Sequence, residues 1–282
     1  LTVDFIGVGP GRSGTAWMHN CLGEHPQLCL PFKIINYFND DENLGRGAEW
    51  YESRFRTCRT GQLRGELSLY LHSPEAPRRI YEYNPKVKLL IPLRNPVDRA
   101  FAAYQGELGA GAIPPTMSFA EALKQRPLYT ERGFYHEALK RYLDLFSSEQ
   151  TLVTIHDEGV ADPEGFMRRI FEFLEVDPDF TPSMLRVWVS VGGVPRSAAL
   201  THSMNGLARQ MRRMGLQKLM WMIKRSGAVG AVHSANRKSR AAEISPEERE
   251  ELAGVFEADI QAVEEVLRRD LSGWRNPPVP AG

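Results

Sequence analysis

The stretch Val3–Val8, followed by Gly9-Pro10-Gly11-Arg12-Ser13-Gly14-Thr15, constrains this chain more than any other feature. VDFIGV is apolar and partly β-branched, which predicts a short buried strand. The glycines let the backbone take positive φ and come close to a ligand. A helix is predicted from about Gly14 to Glu24. In such a strand–loop–helix, successive backbone N–H groups and the helix amino terminus face one point, which suits an anion. Arg12 adds a full positive charge there. Gly11, Arg12, Ser13, Gly14, Thr15 and Ala16 are therefore the candidate anion-binding residues. The order is not that of the nucleotide triphosphatases, where G-K-[ST] closes the loop. Here the basic residue precedes Ser-Gly-Thr.

Lys88–Leu93 (KLLIPL) and Thr151–His156 (TLVTIH) read as further buried strands, each followed by a helical pattern. Short apolar strands alternating with helices predict an α/β fold, a P-loop-like parallel sheet flanked by helices on both faces. Ligands of such sheets sit at the carboxyl ends of the strands. Arg94-Asn95-Pro96-Val97-Asp98-Arg99 lies at one of those ends. Arg94 is placed to clamp a phosphate through paired hydrogen bonds. Arg99 either joins it or pairs with a carboxylate such as Asp98 or Glu107.

The 282 residues fit one domain of this class. Residues from about 200 to 235 are Met-rich and basic. They read either as a helical cover over a substrate cleft or as an ordinary amphipathic helix. Thirty-five basic and thirty-five acidic residues cancel, so any anion site is a local concentration of donors. Neither nucleic acid nor a membrane surface is indicated as a partner. No run approaches the roughly 18 apolar residues of a membrane span. The first residues lack the basic region of a signal peptide. Cys21, Cys29 and Cys58 are scattered and lack zinc-ligand spacing, so the expectation is reduced thiols, a cytoplasmic chain and no metal.

Several segments in order resemble the sulfotransferases that use 3′-phosphoadenosine 5′-phosphosulfate (PAPS), in particular bacterial members related to the heparan sulfate and other carbohydrate sulfotransferases. Arg12-Ser13-Gly14-Thr15 matches the family's [KR]-[ST]-G-T loop, which binds the 5′-phosphosulfate. Leu93–Tyr104 (LRNPVDRAFAAY) matches its R-[ND]-P element, which binds the 3′-phosphate. Pro31–Phe38, Gly65–Tyr70, Arg132–Glu158 and Ile244–Trp274 resemble further family segments. The resemblance implies a single sulfotransferase-like domain over residues 1–282. It would move a sulfuryl group from PAPS, without a metal, to a hydroxyl or amine of a sugar, lipid or small natural product. Arg12 and the loop amides would stabilise charge on the leaving oxygen. Arg94 and the basic loop Arg237-Lys238-Ser239-Arg240 would hold the rest of the donor, with Arg237, Lys238 and Arg240 as its charged contacts.

Three family positions depart from the pattern. Ile34 stands where a glutamate usually takes the acceptor's proton. Leu67 stands where a lysine often follows Glu66. Ala102 stands eight residues past Arg94, where the family carries a serine. Glu66 is the first candidate for a replacement base, an ion pair with an arginine being its other reading. Lys33 suits a positive role beside the sulfate, and acts as a base only if burial depresses its pKa. His19 is a further base candidate or a structural histidine. Two alternative functions stay open: a PAPS-binding relative that is catalytically impaired, and a P-loop small-molecule kinase.

Overall fold

The computed structural model describes residues 2–31, 34–187 and 244–275. Five parallel strands form one sheet: β1 (Phe5–Val8), β2 (Leu28–Cys29), β3 (Leu63–Ser68), β4 (Lys88–Leu93) and β5 (Thr151–Ile155). Their spatial order is β2-β3-β1-β4-β5. β1 is central because all four of its residues are apolar or glycine and buried, as a strand covered on both faces requires. The register sets Phe5 beside Gly65 on one side and Lys88 on the other. A Cβ at Gly65 would come within 2.1 Å of the Phe5 ring, so only glycine admits that ring. The chain leaves β1 toward β2 and β3 on one side, then crosses to β4 and β5 on the other. The loop after β1 therefore lies at the topological switch point, the usual ligand crevice of an open α/β sheet.

The helix after that loop, α1 (Thr15–Glu24), shows why the loop is held still. Its residues Trp17, Met18, Cys21 and Leu22 are buried among Phe5, Leu67 and Leu90 of the sheet and Phe166, Met167, Ile170, Phe171 and Leu174 of the helix Pro163–Leu174. The Trp17 indole N–H also donates to the Leu185 carbonyl at 3.0 Å. With that face in the core, Thr15, Ala16, His19 and Asn20 point the other way, at helical spacing.

The chain divides into two compact units. The first comprises Leu1–Arg99, Thr130–Val189 and Glu250–Gly282 and holds the sheet; the second comprises Ala100–Tyr129 and Ser190–Arg249. In the second, Ser118 and Glu121 form a reciprocal capping box on the helix Phe119–Gln125. There the Tyr104 hydroxyl donates to the Met117 carbonyl at 2.7 Å.

One expectation is corrected here. Cys29 and Cys58 form a disulfide, with Cα atoms 5.6 Å apart. They are 29 residues apart in sequence, and only the pairing of β2 with β3 and the turn after Phe55 bring them together. Cys21 stays a free thiol. Burial, and then the Glu24 carboxylate, push its pKa up to about 12, so it behaves as a small apolar core residue. Among the described residues, no helix is long and apolar enough to cross a membrane.

Candidate active site

The loop after β1 is built from left-handed residues. Gly11 (φ 77°), Arg12 (φ 65°) and Gly14 (φ 82°) all have positive φ. Alternation of this kind turns consecutive N–H groups to the same side and makes an anion-binding concavity. Gly14 also has a packing reason to be glycine, since a Cβ there would lie 2.9 Å from the His156 ring. That histidine stands at the carboxyl end of β5, beside the loop. Two side-chain atoms of this region are buried without a hydrogen-bond partner: Ser13 Oγ and Arg94 Nε. Buried polar atoms are ordinarily satisfied, so both are available to a polar ligand or a water at this crevice. Arg94 also reaches the loop directly, its guanidinium donating to the Arg12 carbonyl at 3.3 Å. The sequence candidates Gly11, Arg12, Ser13, Gly14, Thr15 and Arg94 thus meet at one crevice. Ala16 lines the neighbouring cleft described below.

Arg94 is held by residues that the sequence did not single out. Tyr135 is fully buried, and its hydroxyl donates to the Arg94 carbonyl at 2.9 Å. Asp259, on the helix Pro246–Leu267, accepts from the Tyr135 and His136 backbone N–H groups at 2.7 and 3.1 Å. Asn95 donates to the Trp274 carbonyl at 3.2 Å. The carboxyl end of β4 is therefore tied to elements far along the chain. Arg99 is 2% exposed. Its pKa is lowered by burial first, then by the neighbouring charges of Arg132, Arg12 and Arg94. So many cations near one point suit an anion at this strand end.

His72, just past β3, senses the same field. Burial, with Arg99, Arg132 and Arg141, takes its pKa down from 6.5 to about 4. Its ring nitrogen Nε2 bonds the Phe134 carbonyl at 3.1 Å. Between those values the unfolded chain binds a proton that the folded chain refuses. Stability contributed by neutral His72 is therefore complete above about pH 6.5 and is lost as pH falls toward 4. The full loss is about 3 kcal/mol at most, less for a partly exposed ring. Urea titrations across this pH range should show the loss in the wild type and a flatter dependence in His72→Asn.

Glu66 is not where an acceptor can reach it. It is 0% exposed, in the middle of the aromatic layer under β3. Oε1 accepts from the Tyr51 and Tyr70 hydroxyls at 2.7 and 2.8 Å, and Oε2 from Ser68 Oγ at 2.6 Å. Burial raises its pKa, against the lowering effect of those three hydroxyls. This corrects both readings of Glu66: it neither faces a substrate as a base nor pairs with an arginine. Its work is indirect. Ser68 Oγ accepts the backbone N–H groups of Ile35 and Asn36, both at 3.1 Å, so Glu66 fixes the segment that carries Ile34.

That segment borders an open cleft of about 170 Å³, lined by Thr15, Ala16, His19, Asn20, Ile34, Leu67, Ser68 and Leu69. Ile34 is 52% exposed. Ile34, Leu67 and Leu69 give the cleft an apolar wall, and α1 gives it a polar one. Lys33, Arg237, Lys238, Arg240 and the stretch 200–235 lie outside the described residues.

Fold and site define an α/β protein with a glycine-rich loop of cradle geometry at the switch point of a parallel sheet and an open cleft beside it. The sequence model of the sulfotransferase domain family matches residues 3–188, and the chain belongs to that family. It is 30% identical over 182 residues to human (Homo sapiens) heparan sulfate glucosamine 3-O-sulfotransferase 5, a match covering 61% of this chain and 53% of that protein. It is also 30% identical over 203 residues to the mouse (Mus musculus) bifunctional heparan sulfate N-deacetylase/N-sulfotransferase 4, covering 64% of this chain and 23% of that one. The chain thus spans about half, or less, of the length of these curated relatives. Among solved structures it is similar to a sulfotransferase from Alicyclobacillus acidocaldarius, with a TM-score of 0.70 and 28% identity over 98% of this chain and 99% of that one.

Proposed function

We propose that this chain transfers a sulfuryl group from PAPS to a hydroxyl or amine of a sugar, lipid or small natural product. The observation that carries the reading is the cradle: left-handed Gly11, Arg12 and Gly14, with unpartnered Ser13 Oγ and Arg94 Nε beside them. These donors fit an anionic group held against the amino terminus of α1. In the reading, the loop amides, Arg12, Ser13 and Thr15 take the phosphosulfate end of the donor, and Arg94 and Arg99 take a phosphate at the neighbouring strand end. Lys33, Arg237, Lys238 and Arg240 are further donor contacts in it, and residues 1–282 act as one catalytic domain. As an acceptor oxygen attacks sulfur, charge builds on the oxygen leaving with adenosine 3′,5′-bisphosphate. Donors fixed in advance around it lower the barrier because they need no reorganisation.

A carbohydrate acceptor is favoured by the names of the curated relatives, which act on heparan sulfate. A second reading, donor binding without turnover, is favoured by one observation: the exposed Ile34 and its neighbour Leu67 stand where the family carries a glutamate and a lysine. The kinase alternative is disfavoured by the order of the loop. The cytoplasmic placement is weakened by the Cys29–Cys58 disulfide, since such bridges persist in oxidising compartments.

Titration calorimetry separates these readings. Adenosine bisphosphate should bind and ATP–magnesium should bind far more weakly; the reverse preference would sink the sulfuryl-transfer reading. Release of adenosine bisphosphate from PAPS in the presence of acceptors then separates turnover from binding alone.

A further inference from the structure

With Ile34 at the usual base position and Glu66 sealed away, the cleft has, among the described residues that line it, one group able to take a proton from a hydroxyl. We propose that His19 is that general base. The inference rests on the sulfuryl-transfer reading and adds to it a catalytic residue.

Three observations carry it. His19 lines the cleft together with Thr15, four residues earlier on the same face of α1. That spacing sets the two residues about 6 Å apart along the helix axis, with Thr15 at the mouth of the anion cradle. An acceptor oxygen positioned to attack a sulfuryl group in the cradle therefore lies within the histidine's neighbourhood. Second, His19 Nε2 lies 2.8 Å from the Pro31 carbonyl. A carbonyl oxygen only accepts, so Nε2 carries the proton. The neutral ring then has its lone pair on Nδ1. The carbonyl fixes ring and tautomer as a second group orients the histidine of other nucleophile–base pairs. Third, the rest of the cleft is chemically unsuited to the task. Ile34, Leu67, Leu69 and Ala16 are aliphatic, and Thr15, Asn20 and Ser68 are not bases at working pH. Ser68 Oγ is in addition already bonded to Glu66, Ile35 and Asn36.

The step balances simply. The acceptor O–H bond breaks and its proton passes to His19 Nδ1. The oxygen forms a bond to the sulfur of PAPS, and the bond from sulfur to the phosphate oxygen breaks. Adenosine bisphosphate leaves, and the proton on His19 returns to solvent. The aliphatic wall packs against the carbon skeleton of the acceptor and the polar wall of α1 faces its hydroxyls, which suits a carbohydrate as well as a simple alcohol.

The test uses the full chain with PAPS and two probe acceptors, hexanol and para-nitrophenol. Hexanol keeps its proton until attack, whereas para-nitrophenol is largely ionised in mildly alkaline buffer and needs no base. His19→Gln preserves a donor for the Pro31 carbonyl but cannot take a proton. Its kcat with hexanol should fall roughly 10²–10⁴-fold, while para-nitrophenol sulfation, adenosine bisphosphate affinity and melting temperature change little. Added imidazole should restore part of the rate in His19→Ala. Equal losses with both acceptors, or none with hexanol, overturn the proposal. So does transfer that appears only in Ile34→Glu, although that result leaves the sulfuryl-transfer reading standing. A chain that does not bind adenosine bisphosphate at all overturns that reading itself.

Discussion

Replacing Glu66 with alanine is expected to destabilise the protein by about 4 kcal/mol or more, the largest stability effect of any single change in the site. Three hydroxyls lose their acceptor at once: Tyr51, Tyr70 and Ser68. Each buried donor left unpaired costs about 1–3 kcal/mol, and the vacated volume adds a cavity term. Glu66→Gln should cost much less, because its carbonyl oxygen still accepts from the two tyrosines and only the Ser68 proton loses its partner. The two variants also separate by pH. Burial raises the folded pKa of Glu66, so the folded state holds its proton longer than the unfolded state does. Wild-type stability should therefore decline as pH rises from the ordinary carboxylate range through the raised value, and Glu66→Gln should lack that decline. Chemical denaturation at several pH values reads both effects. Equal stability of Glu66→Ala and wild type would mean that the hydroxyl network does not hold the aromatic layer. Where Glu66→Ala remains folded, a raised KM for the acceptor with unchanged donor affinity is expected, since Ser68 no longer pins Ile35 and Asn36.

Arg94→Ala is expected to weaken adenosine bisphosphate binding by roughly 10²–10³-fold, the scale of about 2–5 kcal/mol for removing one side of a buried charge-assisted contact. The melting temperature should move little, because the strand end is also fixed through its backbone by Tyr135 and Asn95. Arg94→Lys should recover only part of the affinity, since a point charge does not reproduce a forked donor. Calorimetry with adenosine bisphosphate measures all three proteins. Unchanged affinity in Arg94→Ala would remove this arginine from the donor site and leave its buried Nε without an explanation.

The sequence was most informative where function is carried by backbone and local order. The run from Val3 to Thr15 placed strand, turn and helix within two residues of their observed limits, because an apolar run, glycines and a helix start are all local signals. The strand Lys88–Leu93 was read at its observed bounds, and with it the position of Arg94. The two-residue β2 was not legible, since so short a strand has no periodicity and exists only through its pairing with Leu63 and Arg64. Neither was the disulfide, which depends on that pairing.

The roles of Glu66 and His19 show the division most clearly. A glutamate at a strand end looks the same in sequence whether it faces a cleft or the core. Full burial beneath Tyr51 and Tyr70, residues 15 and 4 positions away, makes it a strut. A histidine within a helix looks structural in sequence. Packing Trp17, Met18, Cys21 and Leu22 into the core turned it outward, onto the cleft. The sequence alone determined the family, the parallel α/β architecture and the strand–loop–helix proposed as the anion cradle, because these rest on contiguous residues whose backbone preferences are local. Which side chains line the cleft beside the cradle was decided only by the tertiary structure. That choice depends on which face of each element the core consumes, and the core is assembled from segments more than a hundred residues apart.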